Sequence, residues 1–196
     1  MIDYFKTLFS GESPTALVAQ IIGFVAMGLI FASYQQKKVK SIILLQLFSA
    51  ILWSAHMLML GALAGTLLNF IEALRAVVFA CREKHAWARK RIWFVVFIAA
   101  FGIAALVSAF QGDGWIALLP FVAMVASTFA LSASKSSSVR LLSLLSSPCW
   151  LCYDLISASI AGTISEIFNL VSIFSGMLRI DLPAYLKKRR EQTSKK

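Results

Sequence analysis

FVAMGLIFASYQQKKVKSIILLQLFSAILW, residues 24–53, and FVAMVASTFALSASKSSSVRLLSLLSSPCW, residues 121–150, are one pattern written twice. Each stretch is an apolar run, a short polar break with lysine, and a second apolar run that ends on tryptophan. A slide of 97 residues superposes them without a gap. It sets Phe24-Val25-Ala26-Met27 on Phe121-Val122-Ala123-Met124, Lys38 on Lys135, Ser49 on Ser146 and Trp53 on Trp150. The register continues outward, with Leu58 on Leu155, Ala64-Gly65-Thr66 on Ala161-Gly162-Thr163, and Arg82 on Arg179. Leucine coincidences are cheap in an apolar chain. The paired tryptophans and the repeated Ala-Gly-Thr turn are not, and they mark an internal duplication.

The remainder of the chain is equally apolar. Of 196 residues, 59% are hydrophobic and 14% charged, which excludes an ordinary water-soluble domain. A helix needs about 20 apolar residues to cross a bilayer. Apolar runs recur at about 15–34, 41–61, 64–81, 92–110, 115–133, 138–158 and 161–178. They predict an all-α membrane protein with seven transmembrane helices. Short glycine-bearing separators near 61–65, 111–114 and 157–162 read as tight turns between antiparallel helices. The N-terminal segment lacks the basic stretch, short apolar core and small-residue cleavage site of a signal peptide.

The formal net charge of +10 would point to nucleic acid in a soluble protein, but here the cations are sorted by loop. Lys37, Lys38 and Lys40 follow the first run, and Arg82, Lys84, Arg89, Lys90 and Arg91 follow the third. Lys135 and Arg140 follow the fifth, and a basic tail closes the chain. The turns after the second, fourth and sixth runs hold no Lys or Arg. Because basic short loops stay in the cytoplasm, the expected orientation is amino terminus out and carboxy terminus in.

Two copies of a three-helix unit face the same way only if one more crossing separates them, and the run from Ile92 to Phe110 is that crossing. The expected plan is three, one, three, with the repeats parallel. It divides into an extracytoplasmic tail (1–14), a first repeat (15–81), a basic loop with linker helix (82–114), a second repeat (115–178) and a basic cytoplasmic tail (179–196).

The stretches GFVAMGLIFASYQQKKVK, LFSAILWSAHMLMLGALAGTLLNFIEALR and SSPCWLCYDLISASIAGTISEIFNLVS resemble the YgjV-type family of bacterial inner-membrane proteins over nearly the whole chain. That resemblance implies a multi-pass protein of the bacterial inner membrane. More distantly, the three-one-three plan resembles the SWEET and PQ-loop transporters, whose first helix ends in Pro-Gln before a basic loop; here Tyr34-Gln35 stands there. The SWEET resemblance implies a pocket lined by a tryptophan and an asparagine from each repeat, which carries over to Trp53, Trp150, Asn69 and Asn169. The 97-residue offset departs from it, setting Asn69 on Glu166 and Glu72 on Asn169. Hinge prolines occur only in the second repeat, as Pro120 and Pro148.

Ionisable groups inside a bilayer are costly unless they face the bundle interior, water or a partner. Glu72, Arg75, Asp154, Glu166 and His56 fall within the apolar runs. At a rise of 1.5 Å per residue, Trp53 and Glu72 both come to lie about 12 Å from the outer edge. Positions 69 and 72, like 166 and 169, share a helix face, so each repeat offers one carboxylate and one carboxamide in swapped order. The expected substrate-binding set is Trp53, Asn69, Glu72, Trp150, Asp154, Glu166 and Asn169. The competing reading makes these groups interhelical glue, with Glu72 paired to Arg75 one turn away and His56 in a buried hydrogen bond.

Cys149 and Cys152 have a redox-pair spacing inside an apolar helix, which reads as packing. Nothing suggests catalysis, a metal cluster or a cofactor. The expected function is a small-solute carrier working by alternating access. Its partners are the lipid bilayer and a small polar solute, without nucleic acid, and association into a homo-oligomer is left open. A non-transporting scaffold and a membrane thiol oxidoreductase are the alternatives.

Overall fold

The computed structural model describes residues 14–59, 63–110, 114–156 and 160–193. The N-terminal tail and the centres of the three glycine-bearing turns lie outside the described residues. The described residues form helices and short connecting turns, without strands: α1 (Pro14–Tyr34), α2 (Val39–Met59), α3 (Leu63–Cys81), α4 (Ile92–Ser108), α5 (Leu118–Ser132), α6 (Ser136–Ile156) and α7 (Ile160–Gly176). A π-helical turn (Met177–Asp181) leads into an exposed tail helix, α8 (Leu182–Thr193). Helix is the expected outcome for a chain in hydrocarbon, where every backbone N–H and C=O must be satisfied within its own segment.

Among the described residues, five segments are long and apolar enough to cross a membrane: Leu17–Tyr34, Val39–Met59, Gly114–Ser132, Ser136–Ile156 and Gly162–Thr193. The apolar helix α4 is shorter, at 17 residues. Helix α3, 19 residues long, carries Glu72 and Arg75.

The side chains are arranged inside out relative to a soluble protein. Leu17, Ile21, Phe24, Phe48, Leu67, Phe70, Ile103, Leu141, Leu145 and Phe174 are exposed, while Ala19, Ala26, Ser49, Ala73, Ala76, Ala123, Ala130, Ser143, Ser146 and Ser172 are buried. Lipid tails are as apolar as leucine, so large apolar groups gain little by turning inward. Small residues let helix backbones approach and gain dispersion and hydrogen bonds.

Helix α2 packs on both α1 and α3, and α6 packs on both α5 and α7. The two triplets meet through α1 against α7, α3 against α5, and α2 against α6, and α4 lies against α3 and α5. The apolar core between them includes Ile43, Phe79, Phe97, Phe101, Met124 and Leu131.

Matched contacts recur at the 97-residue spacing. Ser49 Oγ donates to the Ala26 carbonyl at 2.8 Å, and Ser146 Oγ donates to the Ala123 carbonyl at 3.0 Å. The Trp53 ring meets His56 edge-on at 5.2 Å and 87°, and the Trp150 ring meets Tyr153 at 5.9 Å and 82°.

Candidate functional site

Several of the polar groups that the chain buries in its apolar helices collect where the two triplets meet. On α3, Arg75 is 3% exposed. Its Nη2 donates to Glu72 Oε1 at 3.3 Å, and its Nη1 reaches across to α5, donating to Ser127 Oγ and Thr128 Oγ1 at 2.8 Å each and to the Met124 carbonyl at 3.2 Å. The guanidinium also lies 5.1 Å over the Phe101 ring of α4. Glu72 and Arg75 are one turn apart, so the helix itself brings the pair together. The links to α5 join residues some 50 positions apart, and only the packing of the triplets supplies them.

On α7, Asn169 is 4% exposed. Its Nδ2 donates to Glu166 Oε1 at 3.0 Å, and Ser147 of α6 lies against the same carboxylate. Three atoms of this cluster are buried without a hydrogen-bond partner: Arg75 Nε, Glu166 Oε2 and Asn169 Oδ1. Glu166 lies within the electrostatic reach of Asp154 and Glu72. Tyr34, buried at the end of α1, hydrogen-bonds Ser143 of α6 and lies within the field of Glu72, Arg75 and Glu166.

The other expected site residues hold distinct places. Asp154 sets its carboxylate directly on Gly162, in the first turn of α7. Backbone N–H groups at a helix start lack intrahelical partners and favour a negative charge, which a carboxylate at this position supplies. Trp53 and Trp150 are half-buried. Trp53 lies against His56, and Trp150 packs on the apolar core beside Tyr153. Asn69 is half-buried on α3. His56 is buried, with Nδ1 2.7 Å from the Ala19 carbonyl, a hydrogen bond between α2 and α1. Cys149 is half-buried and Cys152 exposed, both as free thiols.

One residue read from the sequence as a loop cation is something else. Arg140 lies inside α6 and is 0% exposed. Its Nε and Nη2 grip the Asp181 carboxylate at 2.8 and 2.5 Å, Nη1 donates to the Tyr34 and Gln36 carbonyls at 3.1 and 2.9 Å, and Nη2 also reaches Ser136 Oγ at 3.1 Å. The carbonyls at the end of α1 lack helical partners and carry partial negative charge, which a guanidinium complements. Gly176 makes room for this clasp, because a Cβ there would collide with the Tyr34 carbonyl and crowd Arg140 Cδ. Beside it, Gln35 Nε2 donates to the Ser172 carbonyl at 2.8 Å and to Ser172 Oγ at 3.0 Å, and Ser172 Oγ donates to the Phe31 carbonyl at 2.6 Å. The Tyr34-Gln35 pair was visible in the sequence. Its partners in the second triplet were not, since none of them is near in the chain.

An all-helical bundle with apolar flanks, small residues inside and a buried polar cluster defines a multi-pass membrane protein. The chain belongs to the Imp-YgjV family, described as bacterial inner membrane protein, whose family model matches residues 17–183. The protein is therefore placed in the bacterial inner membrane. No curated protein and no solved structure matches the chain.

Proposed function

We propose that the protein is a small-solute carrier that crosses the membrane seven times in a three-one-three arrangement, amino terminus out, and works by alternating access between its two triplets. The observation that carries this reading is the buried cluster of Glu72, Arg75, Ser127, Glu166 and Asn169, in which polar atoms without partners remain where the triplets meet. Buried polar groups in a bilayer are expensive, and a bundle held together only by packing has no need of them. Carriers built from repeats commonly place the substrate between their halves. The paired contacts at the 97-residue spacing support two equivalent halves, and the loop charges support the orientation.

The test needs no knowledge of the solute. In a cysteine-free background, Ser147→Cys is labelled with a membrane-impermeant thiol reagent applied to either face of oriented vesicles. A carrier exposes position 147 to both faces in turn. Cross-linking Gln35→Cys to Ser172→Cys then removes access from the cytoplasmic face and keeps it from the other. A position 147 that reacts from neither face ends the carrier reading and leaves a static brace.

A further inference from the structure

The duplication makes each triplet a control for the other, and the two clusters differ in charge balance. In the first triplet the carboxylate Glu72 has its own cation, Arg75, at 3.3 Å. The 97-residue offset sets Ser172 where Arg75 stands in the first triplet, and Asn169 and Glu166 where Glu72 and Asn69 stand. Ser172 is already occupied: it donates to the Phe31 carbonyl and accepts from Gln35. The second triplet therefore has a carboxylate but no arginine at the matching place. Among the described residues the salt bridges are Arg75–Glu72 and Arg140–Asp181, and Glu166 takes part in neither. Two further carboxylates, Asp154 and Glu72, lie within its electrostatic reach.

The hydrogen-bond inventory shows the same gap. Asn169 uses its Nδ2 on Glu166 Oε1, which leaves Asn169 Oδ1 and Glu166 Oε2, two buried acceptors on one face of α7, without donors. Leaving a buried acceptor unmade costs more than an average hydrogen bond returns. A carboxylate without a cation in a low-dielectric interior costs more still. What is missing at this place is positive charge that arrives with N–H donors.

We propose that Glu166 and Asn169, with the Ser147 hydroxyl beside them, form the recognition site for a primary ammonium group of the carried solute, which supplies the cation that Arg75 supplies in the other half. This rests on the carrier reading and names its substrate class. An ammonium has three N–H donors and no acceptor, which matches two free acceptors and a hydroxyl. A hard metal ion calls for six or more oxygen ligands, more than these residues provide.

The test measures apparent melting temperature of the full-length protein in detergent against methyl-, ethyl-, propyl- and butylammonium. The controls are the matching alcohols, tetramethylammonium and sodium chloride. A ligand that binds only the folded state raises that temperature by mass action. Primary ammoniums are expected to raise it. Alcohols lack the charge and tetramethylammonium lacks the donors, so neither should, and sodium should not. Glu166→Gln is expected to weaken the response about ten- to a hundredfold in ligand concentration, as losing a charge-assisted hydrogen bond does. Glu166→Asp, which keeps the charge and guards against a simple folding defect, should retain part of it, and Asn169→Leu should lose part.

Equal responses to sodium or tetramethylammonium, an undiminished response in Glu166→Gln, or no response of the unaltered protein to any primary ammonium each overturn the proposal. If those outcomes occur while position 147 is still labelled from both faces, the carrier reading stands and only the substrate class falls. Ammonium binding with position 147 closed to both faces keeps this site and ends the carrier reading.

Discussion

The Ser146 hydroxyl donates to the Ala123 carbonyl at 3.0 Å, and the Ser49 hydroxyl donates to the Ala26 carbonyl at 2.8 Å in the corresponding place of the first triplet. Both bonds tie the middle helix of a triplet to its first helix. A hydroxyl spent on a neighbouring helix's carbonyl requires close backbones, and Ala26 and Ala123, both fully buried, permit that approach. Interhelical hydrogen bonds of this kind contribute about 0.6 to 2 kcal/mol. Ser49→Ala and Ser146→Ala are each expected to lower stability by about 1 kcal/mol, and by similar amounts because the contacts are equivalent. Unfolding in mixed micelles of the two single variants and the double variant measures this, with additive losses expected for sites in separate triplets.

The Arg140 clasp should dominate stability. Its guanidinium joins the end of α1, α6 and the π-helical turn. Arg140→Leu leaves Asp181 and two backbone carbonyls without their donor and is expected to cost about 3 to 5 kcal/mol, the usual loss when one partner of a buried pair is removed. Arg140→Lys should recover only part, since an ammonium cannot reproduce the two-point grip of a planar guanidinium on a carboxylate. Thermal unfolding in detergent of both variants checks the order.

Arg75 and Glu72 call for a double-mutant cycle. Arg75→Leu strands a carboxylate and cuts the links to Ser127 and Thr128. Glu72→Gln removes only the short-range pair. The double variant is expected to be more stable than the sum of the single losses implies, with a coupling of about 1 to 3 kcal/mol. Additive losses would show that Glu72 and Arg75 act separately.

Two glycines are expected to respond in opposite ways. A Cβ at Gly176 would meet the Tyr34 carbonyl and the Arg140 stem, whereas a Cβ at Gly28 meets nothing within 4 Å. Gly176→Ala should lower the melting temperature and yield. Gly28→Ala should be neutral or slightly stabilising, because alanine favours helix by about 1 kcal/mol over glycine. Parallel expression and thermal unfolding distinguish them.

Membrane orientation is checked by labelling. Cysteines placed at positions 84 and 90 of the basic loop should react with an impermeant reagent only after the membrane is opened, and a cysteine at Gln111 should react in intact spheroplasts, as the loop charges require.

The sequence by itself determined the apolar helices, their order and the 97-residue register, because a bilayer leaves a chain few choices. Backbone groups must pair within each segment, and segment length must match the hydrocarbon thickness. Apolar run, basic loop and glycine turn are local signals, and α1 to α7 end within a few residues of where those signals place them. It also determined the Glu72–Arg75 and Glu166–Asn169 pairs, which are one turn apart and meet on any helix. Only the tertiary structure decided what those pairs face. Arg75 reaches Ser127 and Thr128, Tyr34 meets Ser143, and Arg140 leaves the loop it was read into and closes on Asp181, Tyr34 and Gln36. Such contacts depend on how the triplets rotate against each other, which small residues permit but do not spell out along the chain. An arginine in the second turn of a helix and one in a loop carry the same charge in the sequence. Burial against the orphan carbonyls of another helix separates them, and that requires the assembled bundle.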